Sequence, residues 1–341
     1  MTAAIRVSGA RKVYPAAIGR KAKETVHDVS FAVAPGEIHG LLGPNGAGKT
    51  TTLKMLLGLV RSTGGEFEVL GMDPRKPAGR ARIGFLPEQP YFNPQLTAYQ
   101  ALRLYGRIVG LDRGSIRESS DELLAEVGLD GQGPTVLSRF SRGMLQRLGI
   151  AQAMLGEPAV LVLDEPASGL DPVGQRDVRE IMARLSAGGA TILLSSHQLS
   201  EVEAVCGRVT ILDRGRVAAE GPIEQLLRVA GRTSIRVRGL TDGLPPAVAA
   251  LTDDVAVSGG SWVFSVPEES ARAVVDALDD AGASLESLTP KRESLEDYFS
   301  RLIADFDRAH PGVAAQRGAV AEDARAGSGP SRSSADGEEG R

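Results

Sequence analysis

The sequence lacks several features that would assign it quickly to a functional class. A single cysteine, Cys206, excludes an intrachain disulfide and a metal site built on several thiolates. Four scattered histidines give no histidine-rich zinc pattern. Apolar residues never run unbroken for the roughly 18 positions of a membrane span, and the N-terminus has no signal-peptide pattern. We therefore expect a chain that does not cross a membrane by itself.

An excess of positive charge is also missing. The 341 residues carry 39 Lys and Arg against 43 Asp and Glu, a formal net charge of −4, so we expect no nucleic-acid partner. Hydrophobic residues make up 42% of the chain, which is enough for a globular core. The length predicts two domains, or one domain with appendages. Only seven of the basic residues are lysines, so a lysine inside a motif is informative.

Residues 1–230 predict an α/β domain with a mixed sheet. Short β-branched runs alternate there with longer amphipathic stretches, as in a sheet whose strands are joined by crossover helices. The wholly apolar run 160–163 is typical of a central parallel strand that is covered on both faces. Residues 213–216 predict a tight turn between two strands. The clearest strands are predicted at 37–42, 82–86, 159–163, 191–195 and 209–212.

Two further regions differ in character from this sheet domain. Between about 90 and 156 we predict a helical insertion, in which Thr97 and Gln100 form a capping box that opens a helix through Val109. Residues 231–305 predict a small α+β domain, and because no Leu, Ile, Phe or Trp follows Asp307, we expect 306–341 to be a disordered tail. In the small domain we predict strands at 234–237, 255–257 and 262–266, and helices at 268–281 and 294–303.

The strongest motif is a phosphate-binding loop at residues 43–50. The sequence GPNGAGKT matches G-x-x-x-x-G-K-[ST] at every fixed position, between an apolar strand and a helical stretch. With this composition about 0.01 chance matches are expected. Loop glycines allow consecutive N–H groups to surround phosphate, Lys49 supplies a charge for the β- and γ-phosphates, and the Thr50 hydroxyl can ligate Mg²⁺. We expect nucleotide contacts from Gly43, Pro44, Asn45, Gly46, Ala47, Gly48, Lys49, Thr50 and Thr51.

A pair of acids follows the central strand. Asp164 and Glu165 come directly after the apolar run and therefore lie at the carboxyl edge of the sheet, where ligands bind in such folds. We expect Asp164 to be a partner of Mg²⁺, and Glu165 to polarise the attacking water. A strand that ends in Asp-Glu is weak evidence alone, but it becomes strong after a phosphate loop.

Together these residues resemble the ATP-binding cassette (ABC) ATPases over roughly residues 1–230. Further motifs of that family follow in order: Gln89 is similar to the Q-loop glutamine, 140–144 to the signature motif, 168–171 to the D-loop, and His197 to the switch histidine. The resemblance implies that Gln89 touches Mg²⁺ or the water and senses a membrane partner. It also implies that His197 bonds the γ-phosphate and that Tyr14 stacks on adenine. Read alone, Gln89 could be a solvated loop residue, Tyr14 a packed tyrosine and His197 a capping or core histidine.

The signature segment departs from the family's commonest form. Arg142 stands where the first of two glycines is usual, and Met144 stands where a glutamine is usual. The Ser141 hydroxyl and the Gly143 N–H, which the resemblance assigns to the γ-phosphate, are both present, and we expect a helix to begin near Met144. The resemblance also indicates that such variants occur among cassettes of exporters, so the site is predicted to be functional.

The resemblance implies partners as well. The signature of one chain, with the D-loop residue Asp171, serves the ATP of a second copy or of a related cassette, and the dimer drives an integral-membrane permease. The cassette would then be cytoplasmic and peripheral on the inner face of the cell membrane. The ending 294–299 resembles cassettes of drug, lipid and polysaccharide exporters. An importer cassette and a soluble, non-transport ABC ATPase remain alternatives, although only 92 residues separate Lys49 from Ser141, too few for the long coiled coil of DNA-repair members.

Overall fold

The computed structural model describes residues 3–16, 22–240, 243–252 and 254–309. Its strands, in chain order, are β1 (Ile5–Tyr14), β2 (Lys23–Val33), β3 (Ile38–Leu42), β4 (Gly64–Val69), β5 (Ile83–Leu86), β6 (Val160–Asp164), β7 (Thr191–Ser196), β8 (Arg208–Asp213), β9 (Arg216–Pro222), β10 (Arg228–Arg238), β11 (Val255–Ser258), β12 (Ser261–Pro267) and β13 (Ser284–Arg292). Its α-helices are α1 (Lys49–Leu56), α2 (Pro77–Arg80), α3 (Ala98–Ile108), α4 (Arg113–Glu126), α5 (Arg142–Ala153), α6 (Pro172–Ala187), α7 (Leu199–Val205), α8 (Ile223–Leu226), α9 (Pro246–Ala249), α10 (Ala271–Asp280) and α11 (Leu295–Ala309).

The central sheet has six strands in the order β5-β6-β7-β3-β8-β9. The first five of these run parallel, and β9 joins them as an antiparallel edge strand through the predicted turn after Asp213. Each of the five predicted strands is present to within one residue at either end, and β3, β6 and β7 are buried along their whole length. The mixed α/β core predicted from the apolar runs is therefore confirmed. All the parallel strands end at one edge, where the motif residues follow them.

A second sheet, antiparallel and ordered β2-β1-β4, was not predicted as such. Its strands alternate poorly in sequence because β1 contains several register shifts against β2, beginning between Val7 and Ala10. Such bulges insert extra residues and break the period of two on which strand prediction depends. Residues of β1 and β4, such as Ile5 and Phe67, pack in one core with Leu53 and Leu56 of α1. This packing fixes the helix that follows the phosphate loop.

The segment between Pro90 and Gly156 is helical, as predicted. The Thr97 side chain accepts a hydrogen bond from the Gln100 N–H, and the Gln100 side chain accepts one from the Thr97 N–H, so the capping box is confirmed. The signature helix α5 begins at Arg142, two residues before the predicted start, because Ser141 is its N-cap. This helix lies close over β5, where a Cβ added at Gly84 would be 1.9 Å from the Ala153 carbonyl oxygen.

The region after β9 contains a four-stranded antiparallel sheet in the order β11-β12-β10-β13. Ile235, Phe264 and Val274 belong to its own hydrophobic cluster, which α9 and α10 help to form. The predicted helix 268–281 is divided into a 3₁₀ turn, Glu268–Ser270, and α10. Strand β13 was missed by the prediction because all but one of its residues are exposed, which leaves no apolar alternation to recognise.

The end of the described chain is a helix. α11 continues to Ala309, beyond the predicted end at Ile303, and the rest of the predicted tail, 310–341, lies outside the described residues. The chain divides into two compact units, Met1–Tyr298 and Phe299–Arg341, and the division into domains at 230 and 305 stays a prediction. Among the described helices, none has both the length and the apolar character that a bilayer crossing requires.

Candidate functional site

The phosphate loop connects β3 to α1 and is held in an open curve. Gly46 and Gly48 have φ angles of +84° and +101°, which a side chain would strain. A Cβ added at Gly48 would also lie 2.9 Å from the Thr25 carbonyl oxygen, so the loop passes very close to β2. The loop leads directly into the N-terminus of α1, where the first N–H groups of a helix have no intrahelical acceptor. The arrangement can bind an anion, as the motif predicts.

Lys49 lies buried at the base of this loop. Its Nζ donates to the Gly43 carbonyl oxygen at 2.7 Å and lies 3.6 Å from Oε1 of Glu165. Burial lowers the pKa of Lys49, whereas the carboxylates of Glu165, Asp164 and Glu88 oppose that lowering. The ammonium group is thus held between the Gly43 carbonyl oxygen and the Glu165 carboxylate, in a position where it can bind a phosphate.

Asp164, at the end of β6, lies beside the loop. Its Oδ1 accepts from the Thr50 hydroxyl at 3.3 Å and from the Ser195 hydroxyl at 2.5 Å. Thr50 and Asp164 therefore present two oxygen atoms to one place, as predicted for a metal site. Ser195, which the sequence analysis did not single out, fixes this carboxylate from the neighbouring strand β7. The signal that could have found it is its position at the end of a strand, two residues before His197.

Glu165 has an unusual backbone. Its φ angle of +52° is left-handed, a conformation that costs energy for a residue other than glycine. The Glu165 N–H donates to the carbonyl and hydroxyl oxygens of Ser195, both at 3.1 Å, and these bonds hold the turn. Its Oε2 lies 2.7 Å from Nδ1 of His197, which is exposed rather than packed in the core. The sharp turn thus separates the two carboxylates, with Asp164 toward Thr50 and Glu165 toward Lys49 and His197.

These groups surround a cavity of about 440 Å³, which we call the phosphate cavity. Residues 44–51, Glu165 and His197 line it together, so the structure unites most of the predicted site residues. Three lining residues were missed by the sequence analysis, Lys23, Thr25 and Glu88, and a fourth, Ser168, was predicted only as part of the D-loop. Lys23 and Thr25 belong to the sheet that was not predicted, which is why nothing in the sequence connected them with the loop.

Gln89 and Tyr14 are not among the residues that line the phosphate cavity. Gln89 is exposed, and its neighbour Glu88 faces the cavity instead. Tyr14 lies across the β1–β2 ladder from Lys23, with Lys12 Nζ 4.7 Å above its ring centroid. The predicted roles of Gln89 in water and Mg²⁺ binding and of Tyr14 in adenine stacking stay predictions.

Three predicted residues, Ser141, Gly143 and Asp171, line a second space of about 340 Å³, the signature pocket, whereas Gly43 and Asp164 line neither space. Ser141 and Gly143 belong to the start of α5, and Asp171 is the N-cap of α6, where it accepts from the Gly174 N–H at 2.9 Å. The Ser141 hydroxyl accepts from the Met144 N–H at 3.2 Å. No residue that lines the signature pocket also lines the phosphate cavity.

Comparison with known proteins agrees with this geometry. The ABC transporter family matches residues 26–168. An uncharacterized ABC transporter ATP-binding protein of Synechocystis is 40% identical over 83% of this chain and 79% of its own length. The Nod factor export ATP-binding protein I of Cupriavidus metallidurans is 34% identical over 89% of this chain and 98% of its own. The chain belongs to the ATP-binding proteins of ABC transporters. A solved structure described as the ATP-binding subunit of an ABC transporter, 33% identical, has a TM-score of 0.58 over 66% of this chain and 92% of its own.

As a member of this family the chain is an ABC-type ATPase, and its fold is the ABC cassette. Among the described residues, no group of three His, Cys, Asp or Glu side chains forms a metal site. Proteins usually hold Mg²⁺ through one or two carboxylates together with substrate phosphates. The oxygens of Thr50 and Asp164, 3.3 Å apart, are the donors that fit the ion.

Proposed function

We propose that this ABC ATPase works as a head-to-tail dimer that encloses two ATP molecules with Mg²⁺ and drives a separate membrane permease, which exports its cargo. The partner is a second copy of the chain or a related cassette. The observation that carries the proposal is the separation of the phosphate cavity from the signature pocket, which share no lining residue. The signature pocket has phosphate-binding groups, but the chain's own nucleotide does not occupy it. This supports a second chain whose nucleotide these groups bind.

ATP binds with its phosphates in the phosphate cavity. The loop N–H groups and the N-terminus of α1 hold the β-phosphate, and Lys49 reaches the β- and γ-phosphates. The γ-phosphate carries more charge than the Glu165 carboxylate, so it can displace that carboxylate from Lys49 and leave Glu165 available as a base. Mg²⁺ bound by Thr50 and Asp164 supplies charge neutralisation to the phosphate oxygens when it is present.

Hydrolysis begins when Glu165 accepts a proton from the attacking water. The water oxygen forms a bond to the γ-phosphorus, the bond from that phosphorus to the β-γ bridging oxygen breaks, and ADP and phosphate result. His197, 2.7 Å from Glu165, orients this carboxylate and can also bond the γ-phosphate. The strained turn at Glu165 supports this role, because backbone strain is often retained where it aims a functional side chain.

The second chain contributes its signature pocket to the γ-phosphate. Helix geometry leaves the N–H of Gly143 without an intrahelical acceptor, and the Ser141 hydroxyl lies beside it. Each charge-assisted hydrogen bond across the interface contributes about 1.5–3 kcal/mol while the phosphate is present. Loss of the γ-phosphate removes these contacts and opens the dimer.

An exposed apolar surface on the helical insertion supports contact with a permease. Tyr91 is 85% exposed, and Leu104 and Ile108, one helical turn apart on α3, are 48% and 70% exposed. The Tyr105 hydroxyl donates to the Tyr91 carbonyl oxygen at 3.2 Å, which joins the loop after β5 to this helix. A short permease helix that lies here would bring the cassette to the inner, cytoplasmic face of the membrane. The name of the Nod factor export relative supports export as the direction.

The test uses Glu165→Gln, which keeps the shape of the side chain but removes the base. We expect hydrolysis to fall by roughly 10²–10⁴-fold, because a positioned base contributes about that much, while ATP binding persists. With Mg²⁺ and ATP the variant should elute as a stable dimer. Glu180→Gln, an exposed carboxylate on α6, is the matched control and should behave like the wild type. Undiminished hydrolysis, or a variant that stays monomeric with ATP, contradicts the proposal.

The permease is tested separately. We expect a gene for a multi-helix membrane protein beside this one, and its product should co-purify with the cassette. Ile108→Asp should abolish co-purification and leave the ATPase rate of the isolated cassette within two-fold, because Ile108 lies outside the phosphate cavity. Arg107→Asp, on the same helix, controls for added negative charge. Co-purification that survives Ile108→Asp places the contact elsewhere, and the lack of any such membrane protein favours the soluble alternative.

A further inference from the structure

Arg142, the residue that departs from the commonest signature, makes a specific contact within its own chain. Its Nη2 donates to the Ser168 carbonyl oxygen at 3.0 Å. The guanidinium also covers the α-carbon of the next residue, because a Cβ added at Gly169 would lie 2.5 Å from Cζ and from both Nη atoms. Arginine at 142 and glycine at 169 are therefore matched, since a side chain at 169 would displace the guanidinium.

The segment that Arg142 holds connects the two nucleotide-binding surfaces. It begins at Glu165, continues through Ser168, which lines the phosphate cavity, and ends at Asp171, which lines the signature pocket. Gly169, with a φ angle of +68°, is the point at which the backbone passes from one space to the other. The Ser168 N–H donates to the Glu165 carbonyl oxygen at 3.1 Å, so a shift at Ser168 is felt at Glu165.

We propose that Arg142 is a positioning residue that couples the two ATP sites of the dimer by tying the first turn of α5 to the segment 165–171. The inference rests on the proposed function, in which the partner's γ-phosphate binds that turn. Movement of the turn is then transmitted through the guanidinium to Ser168 and so to Glu165 in the chain's own site. A planar guanidinium can bond a carbonyl and cover a glycine at once, which a lysine ammonium cannot do.

The experiment compares Arg142→Ala, Arg142→Lys and Gly169→Ala with the wild type in steady-state ATP hydrolysis. We expect Arg142→Ala to lower kcat and to bring the Hill coefficient toward 1, because the effect of one bound ATP on the other site, typically about 5–150-fold in affinity, is lost. Arg142→Lys should restore only part of either quantity. Binding of a fluorescent ATP analogue to the dilute chain should stay within two-fold, because Arg142 does not line the phosphate cavity. Arg139→Ala, which removes an exposed arginine three residues earlier, is the matched control.

A double-variant cycle tests the matched pair. Gly169→Ala should lower kcat at least as much as Arg142→Ala, because it removes the same contact and also strains the backbone at a φ angle of +68°. The loss in the double variant should be smaller than the sum of the two single losses, because both substitutions remove one shared contact. Additive losses overturn the inference. Arg142→Ala is on the surface and should fold, so its own kcat and Hill coefficient test the inference even if Gly169→Ala does not fold.

Dimer trapping in the Glu165→Gln background separates the possible failures. If the Arg142→Ala, Glu165→Gln chain still forms the ATP dimer while Arg142→Ala alone loses cooperativity, the inference is supported. If the dimer is lost on removal of Arg142, the side chain binds the partner's phosphate directly and the coupling role is wrong. A normal Hill coefficient in Arg142→Ala overturns the inference alone, whereas failure of Glu165→Gln itself to dimerise overturns the proposed function as well.

Discussion

The phosphate cavity and the signature pocket are built in opposite ways. In the phosphate cavity the charged groups contact one another, as Lys49 meets Glu165 at 3.6 Å and Glu165 meets His197 at 2.7 Å. In the signature pocket Ser141 and Asp171 are N-caps of two helices, and their hydroxyl and carboxylate contact backbone N–H groups. The first space contains a base, a cation and metal donors within one chain. The second offers the Ser141 hydroxyl and the Gly143 N–H to a phosphate but contains no residue of the phosphate loop, which is why we assign its ligand to another chain.

The largest expected effect on ATP binding and hydrolysis comes from two variants, one altered in the phosphate cavity and the other in the signature pocket. Lys49→Ala removes the cation and should weaken ATP binding by roughly 10–100-fold, the equivalent of one charge-assisted hydrogen bond. Gly143→Val obstructs the signature pocket and should fold, because a Cβ there meets only the Ser141 hydroxyl, at 3.9 Å. It should abolish most hydrolysis and leave ATP binding to the single chain unchanged. ATP titration and phosphate release measure the two effects.

Mixing these two variants decides whether the spaces act across chains. A mixed dimer has one site in which both lesions meet and one site that is intact. The mixture should therefore recover up to about a quarter of the wild-type rate, because half of the randomly assorted dimers hold one intact site of two. Each variant mixed with more of itself is the control. A mixture no more active than its better component contradicts the two-chain site.

A smaller effect distinguishes Glu88 from Gln89 as the residue that faces the nucleotide. Glu88 lines the phosphate cavity and its charge acts on Lys49, whereas Gln89 is exposed and does not line that cavity. We expect Glu88→Ala to raise the Mg²⁺ concentration for half-maximal hydrolysis by roughly three- to ten-fold, since an oxygen near the metal is lost. Gln89→Ala is the matched control and should change it less than two-fold. The reverse result would return the role to Gln89, as the family resemblance implies.

Glu88 and Gln89 also indicate what the sequence could and could not predict about the site. The phosphate loop, the acid pair and the capping box at Thr97 are short patterns in which local chemistry requires the residue types, and the predicted loop and helix are present. Which of Glu88 and Gln89 enters the cavity depends on the backbone direction of one loop, which no spacing rule gives. A contact between two strands, such as the hydrogen bond from Ser195 to Asp164, can be predicted only when the order of the strands in the sheet is known.

The strands of the fold also fall into those that the sequence predicts and those that it does not. Parallel strands that are buried on both faces form continuous apolar runs, so β3, β6 and β7 could be predicted closely. Strand β1, with its bulges, and strand β13, with its exposed residues, lack any such pattern, and pairing across the sheet defines them instead. Consequently the missed elements included β2, which provides Lys23 and Thr25 to the phosphate cavity.

The smallest expected effect is on thermal stability, and it comes from the cost of ionising a buried carboxyl near Glu165. Glu201 on α7 is buried, and its Oε1 has no hydrogen-bond partner among the described residues. Burial raises the pKa of Glu201, and the nearby charge of Glu165 raises it further, while Arg179 and His197 oppose the change. A carboxyl with a raised folded-state pKa stabilises the fold below its unfolded pKa, and that contribution is lost as pH rises through the folded value.

Glu201→Gln should remove this pH dependence. The variant's melting temperature should exceed that of the wild type by about 1–2 °C at pH 8 and by less at pH 5, because a larger share of the wild-type carboxyl is protonated at the lower pH. Asp177→Asn at the signature pocket is the matched control, because Asp177 lies 3.9 Å from Arg147 and should lose a weak pair without any gain at high pH. Thermal unfolding of both variants at the two pH values is the measurement. An equal gain at both pH values would show that ionisation of the Glu201 carboxyl costs the fold nothing, and the electrostatic penalty assigned to this residue would be wrong.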